Sequence, residues 1–274
     1  MMHADWLATL WGHYEIGLSA LTAVIILALT FVLGKLALLV PTFRREARRN
    51  RDALATKMQK PTYAANQKWN RKWGGIYLLA IFVLIIPFAV TAEQQPLWKM
   101  ALDALVILMV YDFVYYLTHR FLFHDNGVTG GPLVWVHAVH HRQHNPCRGD
   151  SSYIHPIEVG IGLAVYVVPM LILSLLMGGF HVATIALTWV VFSECNQHNH
   201  DLWESDRFPF RYLNYSAEMH HNHHAKFTGG NYATLTLLYD WMFGTLDHGD
   251  EHRARIKAKA ARAEARTLED SAPA

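Results

Sequence analysis

Cysteine is almost missing from this chain: Cys147 and Cys195 are the only two in 274 residues. Two cannot build a zinc ribbon, a disulfide framework or an iron–sulfur cluster. They read as free thiols in a reducing compartment. Charge is scarce too. Asp, Glu, Lys and Arg make up 17%, against about 25% in an ordinary soluble domain, while 52% of residues are hydrophobic. That composition excludes a disordered chain and a collagen. The formal charge of +2 is too small for a nucleic-acid binder, so no such partner is expected. No Gly-x-Gly-x-x-Gly marks a nicotinamide or flavin domain; Gly160-Ile-Gly162 fails at the next required glycine. No His-Glu-x-x-His run is present, which removes the usual pattern of a membrane zinc hydrolase.

Long apolar runs are present. Ile16 to Val40 is almost wholly apolar, with Lys35 as its only charge. Its length at about 1.5 Å per residue exceeds the roughly 30 Å bilayer core. A signal peptide would have a shorter apolar core and basic residues before it; here they follow. Further candidate spans are Gly75–Thr91, Leu97–Leu117, Ile157–Met177 and Phe180–Cys195. Gly178-Gly179 would turn the last two into a hairpin, crossing as a re-entrant pair rather than as two full helices. Between Pro41 and Trp73 ten Arg and Lys residues face only Glu46 and Asp52, and the positive-inside rule puts this loop in the cytoplasm. The segment from Thr118 to His155 and everything after Asn196 then also face the cytoplasm.

Histidine is the residue in excess. Of 18, 14 fall between His119 and His224, and all of these except His181 map to the cytoplasmic face. They form spaced groups: His119 with His124, His137-Ala-Val-His140-His141, His198 beside His200, and His220-His221-Asn-His223-His224. On a helix, residues i, i+3 and i+4 share a face. His137, His140 and His141 can therefore aim at one point, as can His220, His223 and His224. With His119, His124 and His198 this makes nine converging side chains, too many for one metal and enough for two. The His119/His124 pair is five apart, so the third span should break just past Arg120 to bring both inward. Three acids are candidate supporting catalytic carboxylates: Asp112, Glu194 and Asp240, each placed to accept the second N–H of a metal-bound histidine. The alternative for each is a plain helix-end or surface carboxylate. His3, His13, His181, His248 and His252 read as ordinary polar residues, while His144, His200 and His221 divide evenly between ligand-adjacent and merely polar.

The run Asp112…Tyr115-Tyr116…His119-Arg120…His124, both His-x-x-His-His triads, His155-Pro156-Ile157-Glu158, Gln197-His198-Asn199, Asn231-Tyr232 and Tyr239-Asp240-Trp241-Met242-Phe243-Gly244-Thr245 together resemble the fatty acid hydroxylase / sterol desaturase superfamily of integral-membrane di-iron enzymes. The resemblance implies two iron ions and O2 as co-substrate, acting on a lipid C–H bond by hydroxylation or, with the same site, desaturation. It adds His155 as a ligand. Imidazole alone does not choose among iron, zinc and copper, and zinc could fill the sites of the isolated protein. Electrons would come from a separate ferredoxin-like or cytochrome-like donor and its reductase. A divalent-metal transporter is the rival from another class, but it would hold its histidines near the midplane.

The expected fold is all-α: an integral-membrane helical bundle with a cytoplasmic histidine-rich di-metal cap. Residues 1–100 would form an anchor region of two transmembrane helices and the basic loop. Residues 101–248 would form the hydroxylase-like catalytic domain, and 249–274 a polar tail. Lacking a recognisable retrieval tail or signal, the chain fits a bacterial inner membrane better than the endoplasmic reticulum.

Overall fold

The computed structural model describes residues 12–250. The expected tail from residue 251 onward, with His252, and the amino-terminal His3 lie outside the described residues. Among those described, seven long helices carry the fold: α1 (Ile16–Ala37), α2 (Pro41–Met58), α3 (Pro61–Leu84), α4 (Leu97–Thr118), α5 (Pro156–Met177), α6 (Val182–His198) and α7 (Arg211–Ala225). Among the described residues, strand content is one parallel ladder of two-residue strands, β1 (Val90–Thr91) beside β2 (Phe180–His181). This ladder puts the starts of α4 and α6 at the same level.

Four helical stretches are long and apolar enough to cross a membrane: α1, α3 continued to Ala89, α4 continued to Phe123, and α5. Leu27, Phe31, Leu79, Leu84, Leu105, Leu175 and Leu176 point outward and exposed. Such a belt would be a liability in water and is what a helix in hydrocarbon presents. The inward faces meet in a core that includes Ile107, Tyr111, Tyr166, Met170, Ile185 and Phe192. Tyr166 stacks on Phe192 at 4.3 Å and bonds Thr188 at 2.7 Å, so its hydroxyl is not left bare. Asp103, buried near the start of α4, is paired with Lys99 at 2.7 Å, one turn earlier.

Two expectations change. The Gly178-Gly179 turn, with both residues at positive φ, joins one full-length helix to a shorter one of 17 residues. At about 26 Å, α6 falls short of the roughly 30 Å core. The pair is thus unequal, not two matching half-spans. The basic stretch from Pro41 is also helix, not loop. Its Arg, Ala, Lys and Glu residues are good helix formers, and Pro41 and Pro61 each stand in a first turn, where a missing N–H costs nothing. These helices brace the cap. Asn50 accepts the N–H of Arg148 and of Leu202, each at 2.9 Å. Tyr63 donates to Asp150 at 2.7 Å and Asn70 to the Ile154 carbonyl at 2.6 Å.

Candidate metal centre

At the end of α4 the helix widens. His119–Phe123 form a π-helical turn and His124 leaves it in extended conformation. A wider turn solves the five-residue spacing, because it swings His124 back toward His119; their ring centroids are 5.0 Å apart. The widening starts at His119 itself, ahead of the expected point just past Arg120. The first triad is not one helix. Val134–His137 is a short α-helix and His140–Arg142 a 3-10 turn. The second triad sits in the last turns of α7.

The side chains gather into two groups. His119, His124, His137, His141 and His223 form one; His140, His200, His220 and His224 form the other. Within each, the nearest ligand atoms lie within 4.8 Å of one another, and all nine residues are buried. The triads therefore do not each converge on one point. The i and i+4 members of the first triad enter the five-histidine group, and its i+3 member enters the other. The second triad does the reverse. His141 of one group stacks on His224 of the other at 4.8 Å.

Hydrogen bonds identify what the rings present to one another. Nδ1 of His119 faces the Tyr232 carbonyl at 2.7 Å, that of His124 the Phe227 carbonyl at 2.8 Å, and that of His223 the Gly230 carbonyl at 2.8 Å. His137 Nδ1 donates to Glu158 Oε1 at 2.6 Å. In the second group, His200 Nδ1 donates to the Asn196 carbonyl at 2.9 Å. A carbonyl can only accept, so these Nδ1 atoms carry the hydrogen and each neutral ring shows a bare lone pair at Nε2. Their Nε2 atoms are turned on each other and on those of His141, His220 and His224. Nε2 of His119, His137, His141 and His223 form a closed ring with edges of 3.0, 3.1, 3.1 and 3.1 Å. A square of that edge has a half-diagonal of about 2.2 Å, close to a metal–imidazole bond length. His124 Nε2 is buried beside them with no partner. In the second group Nε2 runs from His140 to His200 to His220 to His224 at 3.0, 3.1 and 3.2 Å. Apposed lone pairs repel unless a cation lies between them, so the donor sets fit metal ions.

Electrostatics point the same way. Burial first, then neighbouring imidazoles, holds His124, His137, His141, His200, His220 and His224 well below the usual histidine range. Burial also pulls His140 and His223 down to about 4, against the opposing pull of their carbonyl partners. The rings are neutral at ordinary pH, as ligands must be.

Several candidates from the sequence are placed elsewhere. His198 turns Nδ1 to Asp201 at 2.9 Å and Nε2 to the Leu213 carbonyl at 3.0 Å; both nitrogens face acceptors and the ring belongs to neither group. His200 stands in the group instead. His155 caps α5, its Nδ1 accepting the Ile157 N–H at 3.2 Å, with its ring against Trp69 and Trp135. His144 and His221 belong to neither group.

The three acids do not touch the nine rings. Asp112 accepts the N–H groups of Thr234, Leu235 and Thr236 and the Thr236 hydroxyl. Asp240 accepts the N–H groups of Tyr232 and Ala233 and the Thr245 hydroxyl. Both fold the segment whose Tyr232 carbonyl orients His119, so they act one step removed. Gly230, which orients His223, could not be another residue: an added Cβ would sit 1.7 Å from the Thr245 carbonyl oxygen. Glu194 pairs with Arg148, which also binds Asp201, the partner of His198. The carboxylate that does hold a grouped histidine is Glu158. The signal for it was present in the His155-Pro156-Ile157-Glu158 run, as an acid at the start of a span.

A fatty acid hydroxylase family model matches residues 104–245, which contain both groups entire. The chain belongs to the fatty acid hydroxylase family. This family member is 31% identical over 182 residues to methylsterol monooxygenase 2-1 of Arabidopsis thaliana, covering 60% of this chain and 61% of the relative. It is 31% identical over 166 residues to methylsterol monooxygenase 2-2 of the same plant, covering 55% and 54%. Very-long-chain aldehyde decarbonylase GL1-11 of Oryza sativa subsp. indica is 31% identical over 159 residues, covering 55% and 54%. The chain thus spans between half and two thirds of the length of these relatives. No solved structure matches it.

Proposed function

We propose that this fatty acid hydroxylase family member is a membrane-bound oxygenase. It hydroxylates a lipid C–H bond with O2, using two iron ions held by the two histidine groups. The observation that carries the reading is the gathering of nine buried, neutral imidazoles into two adjoining sets, five of them holding an acceptor at Nδ1 that leaves the Nε2 lone pair bare. Two sets suit a reaction needing two electrons at once, and imidazole suits iron. The relatives' names, a monooxygenase of methylsterols and a decarbonylase of very-long-chain aldehydes, both describe chemistry on lipids. His119 stands in the last turn of the α4 span and the other eight grouped histidines lie outside the four spans, none at a midplane, which argues against a transporter. The basic α2 and the start of α3 brace the same cap, and by the positive-inside rule this supports a cytoplasmic cap.

When bound, the two irons supply O2 reduction and removal of hydrogen from an unactivated C–H bond. The chain supplies the rest. Carbonyls of Tyr232, Phe227, Gly230 and Asn196 and the Glu158 carboxylate fix the ring tautomers and orientations. Burial keeps the rings unprotonated and excludes water. Electrons come from a separate donor and reductase. The test is iron content of the purified protein beside His140→Ala and His223→Ala. Two irons per chain, with one lost in each variant, support the reading, as does lipid product carrying an added oxygen. Absence of stoichiometric metal, or metal indifferent to both substitutions, overturns it.

A further inference from the structure

Among the described residues, two chains of aromatic rings lead away from the five-histidine group. The first begins at Tyr232, whose ring lies against three members of the group, with centroids 5.6 Å from His119, 5.3 Å from His124 and 5.7 Å from His223. Tyr116 meets Tyr232 edge-on at 6.2 Å and leads on to Tyr239 at 6.3 Å. The second begins at Tyr115, 5.4 Å from His119, and passes to Tyr111 at 5.9 Å. These separations are typical of rings in contact. Packing alone accounts for the rings. It does not account for what surrounds the Tyr116 hydroxyl.

Tyr116 is buried, and its oxygen has two polar neighbours. Arg120 carries donors only, so its guanidinium donates to that oxygen. Thr245 has one hydroxyl hydrogen, and it goes to Asp240 Oδ1 at 2.7 Å, since a carboxylate can only accept. The phenolic hydrogen of Tyr116 therefore points at Thr245 Oγ1, 3.3 Å away. The direction of the chain is fixed: Tyr116 to Thr245 to Asp240. Burial holds the Asp240 carboxyl above the usual carboxylate range, which makes it a better proton acceptor. The Tyr111 hydroxyl, by contrast, is buried with no partner. The contrast matters because a phenol becomes a very strong acid on oxidation. A tyrosine gives up an electron readily only where its proton has somewhere to go.

We propose that Tyr116 is a redox-active residue: when O2 is reduced at the histidine groups with no substrate C–H bond in reach, it supplies one electron through Tyr232 and passes its proton through Thr245 to Asp240. The inference rests on the iron-oxygenase reading. Two ferrous ions give O2 two of the four electrons it needs to become water. Tyr116 gives a third, its O–H bond breaking to leave a neutral phenoxyl radical. The separate donor gives the fourth and later restores the tyrosine. Solvent supplies the four protons that O2 takes up, and the proton from Tyr116 stays on Asp240 until the radical is reduced. Oxidising power that would otherwise fall on the histidines is spent on a residue that can be restored.

The test is rapid freeze-quench electron paramagnetic resonance on the full-length protein, loaded anaerobically with ferrous iron and mixed with O2 in the absence of lipid substrate. A slight excess of ferrous iron stands in for the donor, and Mössbauer spectroscopy follows oxidation of the bound iron. A phenoxyl radical is expected in the wild type, its signal narrowed when the protein carries ring-deuterated tyrosine. The signal should be lost in Tyr116→Phe at unchanged iron content. It should be depleted in Thr245→Val, which keeps the ring contacts and removes the proton path, and kept in Tyr111→Phe. In Tyr116→Phe, peptide mass spectrometry should find more oxidised histidine in the 119–124 and 220–224 peptides. Iron oxidised by O2 with no phenoxyl signal, a signal indifferent to Tyr116→Phe, or one lost instead in Tyr115→Phe or Tyr111→Phe would overturn the proposal and leave the oxygenase reading standing. Bound iron that O2 does not oxidise would overturn both.

Discussion

Replacing Glu158 should weaken one histidine group and spare the other. Its Oε1 takes the Nδ1–H of His137 at 2.6 Å, and the pair is buried. In Glu158→Ala that buried N–H loses its acceptor, a cost of about 1–3 kcal/mol. At about 1.4 kcal/mol per decade, the affinity for an ion falls about 5- to 150-fold, in line with the 10- to 100-fold typical for partners of metal-bound histidine. Glu158→Gln keeps an acceptor but removes the charge. Charge-assisted bonds are roughly twice as strong as neutral ones, so about half the energy should go. His137 belongs only to the five-histidine group. A chelator titration of the purified, metal-loaded protein should therefore release one equivalent early in Glu158→Ala, less early in Glu158→Gln, and the second at its wild-type position. If both equivalents shift together, or neither moves, Glu158 does not orient a single site and the reasoning fails.

Other outcomes follow from the same geometry. His200→Ala should cost one equivalent of metal while His198→Ala retains both, since both nitrogens of His198 face acceptors; elemental analysis that ranks them the other way refutes the grouping. Stability of the metal-free protein should rise with pH between about 4 and 6.5. There the unfolded chain binds protons that buried His140 and His223, held at about 4, refuse, and acidification through this window should lower the thermal midpoint. A midpoint that climbs on acidification would contradict the sign. Asp112→Asn replaces one accepting oxygen with a donor facing the Thr236 N–H, at a cost of about 1–3 kcal/mol; hydrogen exchange at 232–238 should quicken, and unchanged protection there would show that Asp112 does not hold the segment.

The helices and most of the grouped histidines were legible in the sequence because apolar length and i, i+3, i+4 spacing are local properties. What was not legible depends on how distant segments meet. Nothing near His198 tells which of His198 and His200 turns inward; that depends on the carbonyl of Leu213, fifteen residues on. Asp112 has the right helical phase to support His119, yet its oxygens go to N–H groups more than a hundred residues away. The charge of the basic run masks its helical character, which its Ala and Glu content and its leading prolines also carry. The motif around Glu158 gives that residue no role by itself, because its partner, His137, lies on another element.

The crosswise sharing of the two His-x-x-His-His segments has a mechanical consequence. Each ion would bridge the 137–141 segment to α7, so each acts as a staple across the same seam. Either ion alone would still span that seam, so the backbone of the 137–141 segment and α7 should loosen only when both ions have left.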